Sequence, residues 1–569
     1  MKTLTKVLIL TLALALLMTS SASAYYVSDA AKHPVTPFSD TPLDIKVIVY
    51  PQEQIVFSEF DKNDYTMFKL FDKISGLNID WEVRDPAAIN ETLSTLMASG
   101  DLPDMIQGMS WTASDIANFG VAQGLLYPID TLLDYMPIFT DILAVHPELK
   151  ATLTAPDGHI YGLPQLIDSN SYRWPMWLNQ NWLNAVNKEV PTTLDEFADV
   201  LRAFKAQDAN GNGDPNDEIP WTASWSEGYN VEGWLLNAFD LVGTGDTLVV
   251  DYSKGVENMK LAYAPYAPAY KDYLSYMHQL YSEGLIDSDM FTQNNAQTIA
   301  KVNDNTAGGW LGDGNIQNAL SGVEKAFDVY TGISPLVKAK GETPKCAGYD
   351  FYEFFCTAAI SADVSEEKAI ALAKMLDYYY SVEFYDFVVW GPVLGSEMDP
   401  DNRGVYAITD ENGKYTDRNY AGNDGSFTRW TYQLTFINPW HQPGFASGNN
   451  NYRSYIYENN LNPVNALSFA AKADNFIACK EYYQWEAKLV PYYTDGVPSL
   501  FMDEDDNDNA ILLKAQLDTY AKNAAAKFIT GELDLEKDYD TYISNLEKYG
   551  AKEYEDLQNK YFESYVANR

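Results

Sequence analysis

Asp208, Asn210 and Asn212 alternate with small residues in the run 208–220 (DANGNGDPNDEIP), so three oxygen-bearing side chains can turn into one tight loop. Gly211 and Gly213 permit the positive φ angles that such a loop needs. Asp217 and Glu218 add two carboxylates, and the main-chain carbonyl of Asp214 is placed to join them. A hard cation such as Ca2+ takes about six to eight oxygens, which this run approaches. The twelfth position is Ile219, where an EF-hand has a bidentate Glu, so the loop is not a regular EF-hand. Its plain alternative is a solvated Asx/Gly turn. The expectation is a structural Ca2+ on Asp208, Asn210, Asn212, Asp214, Asp217 and Glu218.

Nothing else in the chain has the spacing of a reactive centre. His33, His146, His159, His278 and His441 are scattered without HxH or HExxH spacing and read as surface or packing residues. There is no GxSxG elbow, Walker loop or dinucleotide fingerprint, and with 80 acidic residues a carboxylate pair close in sequence carries no information. No catalytic residue is assigned, and the chain is not expected to be an enzyme. Cys346, Cys356 and Cys479 lack CxxC spacing, which argues against zinc. A Cys346–Cys356 bridge and buried free thiols both remain open.

Aromatic residues make up 14% of the chain, with 41 Tyr and 13 Trp. Their flat faces stack on the C–H faces of sugar rings, while neighbouring amides and acids take the hydroxyls. Loop-like positions single out Trp111, expected to follow a strand ending at Ile106, and Trp225, just past the candidate calcium loop. Trp310 and Asp313 lie in a glycine-rich stretch, 308–315 (GGWLGDGN), and Trp390 and Trp440 each adjoin Gly or Pro.

The elements around these residues follow from patterning. A basic start (Lys2, Lys6), a mainly apolar run 7–17 and Ala22-Ser23-Ala24 read as a signal peptide cleaved after Ala24. The apolar run is too short to span a bilayer comfortably. Asp44–Tyr50 reads as a first strand, Asp64 as the cap of a helix, 78–83 as a second strand, and 103–106 as a third. Alternating β and α elements imply a parallel sheet flanked by helices. Thr193 and Glu196 form a capping box before the stripe Phe197, Val200, Leu201 and Phe204. Further helical patterns cover about 268–284, 364–380, 509–529 and 536–566, and the acidic run 503–509 reads as a solvated turn. A formal charge of −41, and −43 once the leader's two lysines are gone, repels phosphates and anionic membranes. Nucleic acid is excluded as a partner.

Five stretches carry a family resemblance: 190–197 (VPTTLDEF), 204–220 (FKAQDANGNGDPNDEIP), 98–104 (ASGDLPD), 157–164 (DGHIYGLP) and 528–533 (FITGEL). In order and spacing they resemble the family 1 extracellular solute-binding proteins of ABC importers, in the branch of alginate-oligosaccharide binders and large sugar-binding lipoproteins. The resemblance implies an α/β, two-lobed periplasmic-binding-protein-like (type II) fold, each lobe a mostly parallel sheet flanked by helices, with a large helical C-terminal portion. It implies lobe 1 from 44–165 plus 333–395, and lobe 2 from 166–332 plus 396–569. Tyr172 and Trp174 then sit just past a lobe crossing and join the ligand candidates. The implied function is capture of an oligosaccharide by hinge closure and delivery to the transmembrane subunits of a permease. A monomer is expected, in the periplasm or associated with the cell envelope, although the lipid-attachment cysteine of many members is missing. A secreted glycoside hydrolase is the alternative, needing two carboxylates about 5–10 Å apart across a cleft.

Overall fold

The computed structural model describes residues 27–51, 64–85, 89–166, 176–214, 216–225, 231–243, 245–311, 329–347, 352–404, 406–408, 415–417, 437, 443–445, 492–494 and 496–568. The expected signal peptide, 1–24, lies outside them. The chain divides into two compact units, 1–169 with 351–469 and 170–350 with 470–569.

Unit 1 is built on a six-stranded sheet. Its strands are β1 (Asp44–Val49), β2 (Asn78–Val83), β3 (Met105–Trp111), β4 (Gly162–Leu166), β5 (Tyr352–Ile360) and β6 (Gly444–Phe445), in the order β6-β4-β5-β3-β1-β2. β1 runs parallel to β2 and β3, and β6 parallel to β4. β5 lies antiparallel between β3 and β4, so the sheet is mixed. β1 buries Ile45, Val47, Ile48 and Val49, as its β-branched run leads one to expect. The Thr66–Ile74 helix buries Met67, Phe68, Leu70 and Phe71, and Phe68 stacks on Trp81 with ring centroids 4.3 Å apart. Asp64 does not cap this helix. Tyr65 holds the cap position without a side-chain bond, and Asp64 is drawn instead to Lys69 (2.5 Å) and Arg403 (2.5 Å).

Arg403 and β6 belong with unit 1, whereas 396–569 was expected wholly in lobe 2; conversely 333–350 falls in unit 2. The cause is pairing: β6 adds to β4, Arg403 binds Asp64, and Cys346–Ala347 pairs with Tyr493–Thr494 of unit 2. Elsewhere in unit 1, the buried Asp377 carboxylate accepts from the backbone N–H groups of Ile138 (3.2 Å) and Phe139 (2.8 Å), capping the Pro137–Val145 helix from a neighbouring one. Cys356 is a buried thiol on β5, and a side chain at Gly162 of β4 would collide with its sulfur. Cys346 is also a buried free thiol, its pKa pushed up to about 12 by burial. Neither forms the bridge left open above.

In unit 2 the two three-stranded sheets are antiparallel rather than parallel, and only the short Cys346–Ala347 and Tyr493–Thr494 pair among its described sheets is parallel. Met176–Asn179 pairs with Tyr330–Gly332 on one side and Gly309–Leu311 on the other, and a separate meander joins Leu241–Val242, Leu248–Asp251 and Lys260–Tyr263. The Leu194–Ala206 helix buries the whole expected stripe, Phe197, Val200, Leu201 and Phe204. Only half of its capping box forms. Thr193 Oγ1 accepts from Glu196 N, while the Glu196 carboxylate turns to the N–H and hydroxyl of Thr192. The acidic run expected as a turn is the start of a 27-residue helix, Glu504–Thr530, with Asp503 as its N-cap. Negative charge is favourable there, where unpaired N–H groups gather. The last helical stretch breaks at Gly550 (φ +91°) into Tyr539–Lys548 and Ala551–Asn568.

Candidate functional site

Unit 2 gathers the loop oxygens that the sequence singles out. The helix Leu194–Ala206 feeds the loop, and Gly211 (φ +73°) and Gly213 (φ +91°) turn it. Three side chains are aimed by the loop's own backbone. Asp208 Oδ2 accepts from Gly213 N (2.9 Å), Asn210 Oδ1 from Asn212 N (2.9 Å), and Asn212 Oδ1 from Asp214 N (2.7 Å). Asp217 closes the ring, accepting from the amides of Asn210 (3.3 Å) and Asn212 (2.6 Å). Glu218 accepts from Ala209 N through Oε1 (3.0 Å), while its Oε2 is shut off from solvent with no hydrogen-bond partner. Burial and the neighbouring Asp217 charge both raise the Glu218 pKa. The Asp214 side chain turns to Asn216, leaving its carbonyl as the atom of interest. Among the described residues, no Lys or Arg pairs with Asp208, Asp214, Asp217 or Glu218. No group of three or more His, Cys, Asp or Glu side chains among the described residues is placed to hold a metal ion.

The chain leaving this loop is laced along both edges. On one edge Ile219 N donates to Thr306 O (2.8 Å), Gly308 N to Ile219 O (2.9 Å), and Thr222 N to Gly309 O (2.9 Å). On the other, Asp287 N donates to Trp221 O (2.9 Å), Thr222 Oγ1 to Asp287 Oδ2 (2.7 Å), and Ser224 Oγ to Gln293 O (3.0 Å). The segment ends at Trp225, whose N–H donates to Met290 O (2.9 Å). Its half-buried ring packs on Phe291 at 5.1 Å.

The aromatic candidates scatter. Trp111 is the last residue of β3, not part of a loop after it, and is 1% exposed because β5 pairs with it through Cys356. Trp310 is likewise 1% exposed, in a strand opposite Trp177. The glycines before it serve close packing rather than looseness, since a side chain at Gly308 would strike the Trp182 ring. Trp225 alone of the candidates offers a partly open ring among the described residues. Trp390 ends the Val382–Trp390 helix, and its side chain lies outside the description. Tyr172, Trp174, Asp313 and Trp440 also lie outside it. The reading of the sequence missed Thr222, Asp287, Gln293 and Lys301. No spacing signals them, because they meet only through folding.

This fold is the two-lobed type II architecture, and the chain is a relative of the substrate-binding proteins of ABC transporters. The fructooligosaccharide ABC transporter substrate-binding protein FusA of Streptococcus pneumoniae is 28% identical over 520 residues, 90% of this chain and 88% of that protein. Lipoprotein LipO of Bacillus subtilis is 25% identical over 512 residues, 87% of this chain and 88% of that one. No family model matches the chain. Among solved structures, FusA in complex with kestose aligns with a TM-score of 0.61 at 24% identity, covering 92% of this chain and 100% of that one. The HMO-binding solute-binding protein of Bifidobacterium longum infantis aligns at 0.66 with 21% identity, covering 93% and 99%. An EF-hand mutant of FusA and the alginate-binding protein AlgQ2 without calcium ion also share the fold, at 0.60 and 0.57.

Proposed function

We propose that this chain is the extracytoplasmic receptor of an ABC importer, capturing an oligosaccharide and delivering it unchanged to a membrane permease. The observation that carries the reading is the similarity to FusA along nine-tenths of the chain. The half-buried Trp225 ring, at the end of a segment fixed on both edges, is the solute-facing surface this reading favours. The leader 1–24 would direct export, and no helix among the described residues is long and apolar enough to cross a membrane. The test is a thermal-shift screen of the purified protein against glycans that include kestose and HMO-type oligosaccharides, with reducing-end analysis of each hit. At least one glycan should raise the Tm and survive unaltered. A panel without a hit would overturn the carbohydrate reading, and reducing ends growing with protein concentration would install the hydrolase in its place.

A structural Ca2+ in the 208–218 loop belongs to the same reading. The donor set fits the ion. Four carboxylates, Asp208 among them, lack a cationic partner among the described residues, one Glu218 oxygen is closed off and unbonded, and two further side chains, Asn210 and Asn212, are held with their oxygens fixed. Asp208, Asn210, Asn212, Asp217, Glu218 and the Asp214 carbonyl would hold it. When bound, the ion neutralises charge that the loop otherwise keeps together at a cost. Binding only the folded state stabilises it by about 2.7 kcal/mol at 100 times the Kd. EDTA in metal-stripped buffer should lower the Tm, and added Ca2+ should restore it; an unchanged Tm would remove calcium from the account.

A further inference from the structure

Four residues in a row, Trp221, Thr222, Ala223 and Ser224, are buried before the chain emerges at Trp225. What holds them is a polar cluster inside an otherwise apolar core. Gln293 is buried, and its amide nitrogen, with two hydrogens, lies within hydrogen-bond distance of three acceptors, Thr222 Oγ1 (2.9 Å), the Ala223 carbonyl (2.7 Å) and Asp287 Oδ2 (3.1 Å), while its Oε1 is buried with no hydrogen-bond partner. The buried Asp287 is neutralised by Lys301 (2.7 Å), which also reaches Asp289 (3.0 Å). Gln293 returns through its main chain, where its carbonyl accepts the Ser224 hydroxyl. The same loop carries Met290, which accepts the Trp225 N–H, and Phe291, on which the Trp225 ring rests. One short loop thus fixes both the backbone of Trp225 and the platform under its ring.

Such a network is a costly way to gain stability, since well-packed apolar groups often do as well as a buried ion pair. What it supplies is one geometry, because the Thr222, Ser224 and Lys301 donors each have an acceptor, and a shifted backbone would leave further buried groups unpaired beside Gln293 Oε1. We propose that Gln293 is a positioning residue for solute binding, setting the pose of the Trp225 ring through Thr222, Ala223 and the Asp287–Lys301 pair. The proposal rests on the reading of Trp225 as a solute-facing ring. Gln293 itself touches no solute.

The test uses full-length mature protein labelled with 5-fluorotryptophan, the Trp225 resonance being assigned by its loss in Trp225→Phe. Gln293→Met, which keeps the volume but removes the donors, should shift or split that resonance. Thr222→Val should do the same more weakly and guards against a variant that fails to fold. A Trp225 resonance unmoved in both folded variants overturns the proposal, whatever the solute. In the second arm, affinity for kestose or the best glycan of the panel is measured by calorimetry. Gln293→Met should weaken it roughly tenfold, as expected for the geometry held by a buried hydrogen bond. In a Trp225→Ala background the same change should have no further effect, which a general loss of stability would not produce. Equal, additive losses in both backgrounds would overturn the positioning role. An unchanged affinity in Trp225→Ala alone would instead retire Trp225 as the solute-facing ring, while the fluorine result still decides what Gln293 positions.

Discussion

Two buried carboxylates, one in each unit, give single residues a say in how the protein responds to pH. Burial pushes Asp377 up to about 7, against the helix N–H groups that favour its charged form. Burial does the same to Glu232, also to about 7, against the hydrogen bond from Tyr270 (2.5 Å) and the charge of Lys522. Each group binds its proton more tightly folded than unfolded. Its stabilisation is therefore complete below the unfolded pKa near 4 and is lost as pH rises through about 7. Stability, and the Tm with it, should fall from pH 5.5 to about 7 and then level off by pH 8, a loss on the order of 2 kcal/mol per group. Melting curves of Asp377→Asn and Glu232→Gln across that range should show shallower slopes; slopes equal to the parent's would rule both groups out. Trp310 offers a different single-residue check. Being enclosed, it should cost about 3–5 kcal/mol on truncation to Ala, read as a lowered denaturant midpoint.

At the scale of elements, β4 and β5 meet at one tight point. Gly162→Ala would push a methyl group into the Cys356 sulfur and should destabilise unit 1 by about 1–3 kcal/mol. Cys356→Ala should recover part of that loss, and chemical denaturation of the single and double variants measures it. The same pair of strands shows where sequence is informative. Amphipathic helices such as Leu194–Ala206 and Glu366–Tyr378 were legible, because one apolar face repeats at helical spacing. β5 was not, because Cys356 to Ile360 are all buried and the run gives no alternation to read. Gly308 and Gly309 suggested a loose loop, yet they mark crowding against Trp182 and Leu178. The cluster of loop oxygens at 208–218 was legible, since its members are local in sequence. The Gln293 network was not, since Thr222 and Gln293 lie 71 residues apart and neither stands out alone.

For the whole molecule, charge sets the first expectation. A net −41 makes the folded chain repel itself, and salt screens that repulsion. Raising ionic strength from about 0.01 to 0.15 M shortens the Debye length from roughly 30 to 8 Å. Under EDTA, the Tm should rise over that interval; a fall would mean that ion pairs such as Asp64–Arg403 outweigh the repulsion. Chain order sets the second. β5 fills the slot between β3 and β4, yet it is made long after both, with most of unit 2 in between. A nascent chain can therefore form the β1, β2 and β3 edge early, but its β4 has no neighbour to join until Ile360 has left the ribosome. Contacts that span so much sequence form slowly. The six-stranded sheet can thus be completed only late in synthesis, after the chain that makes most of unit 2.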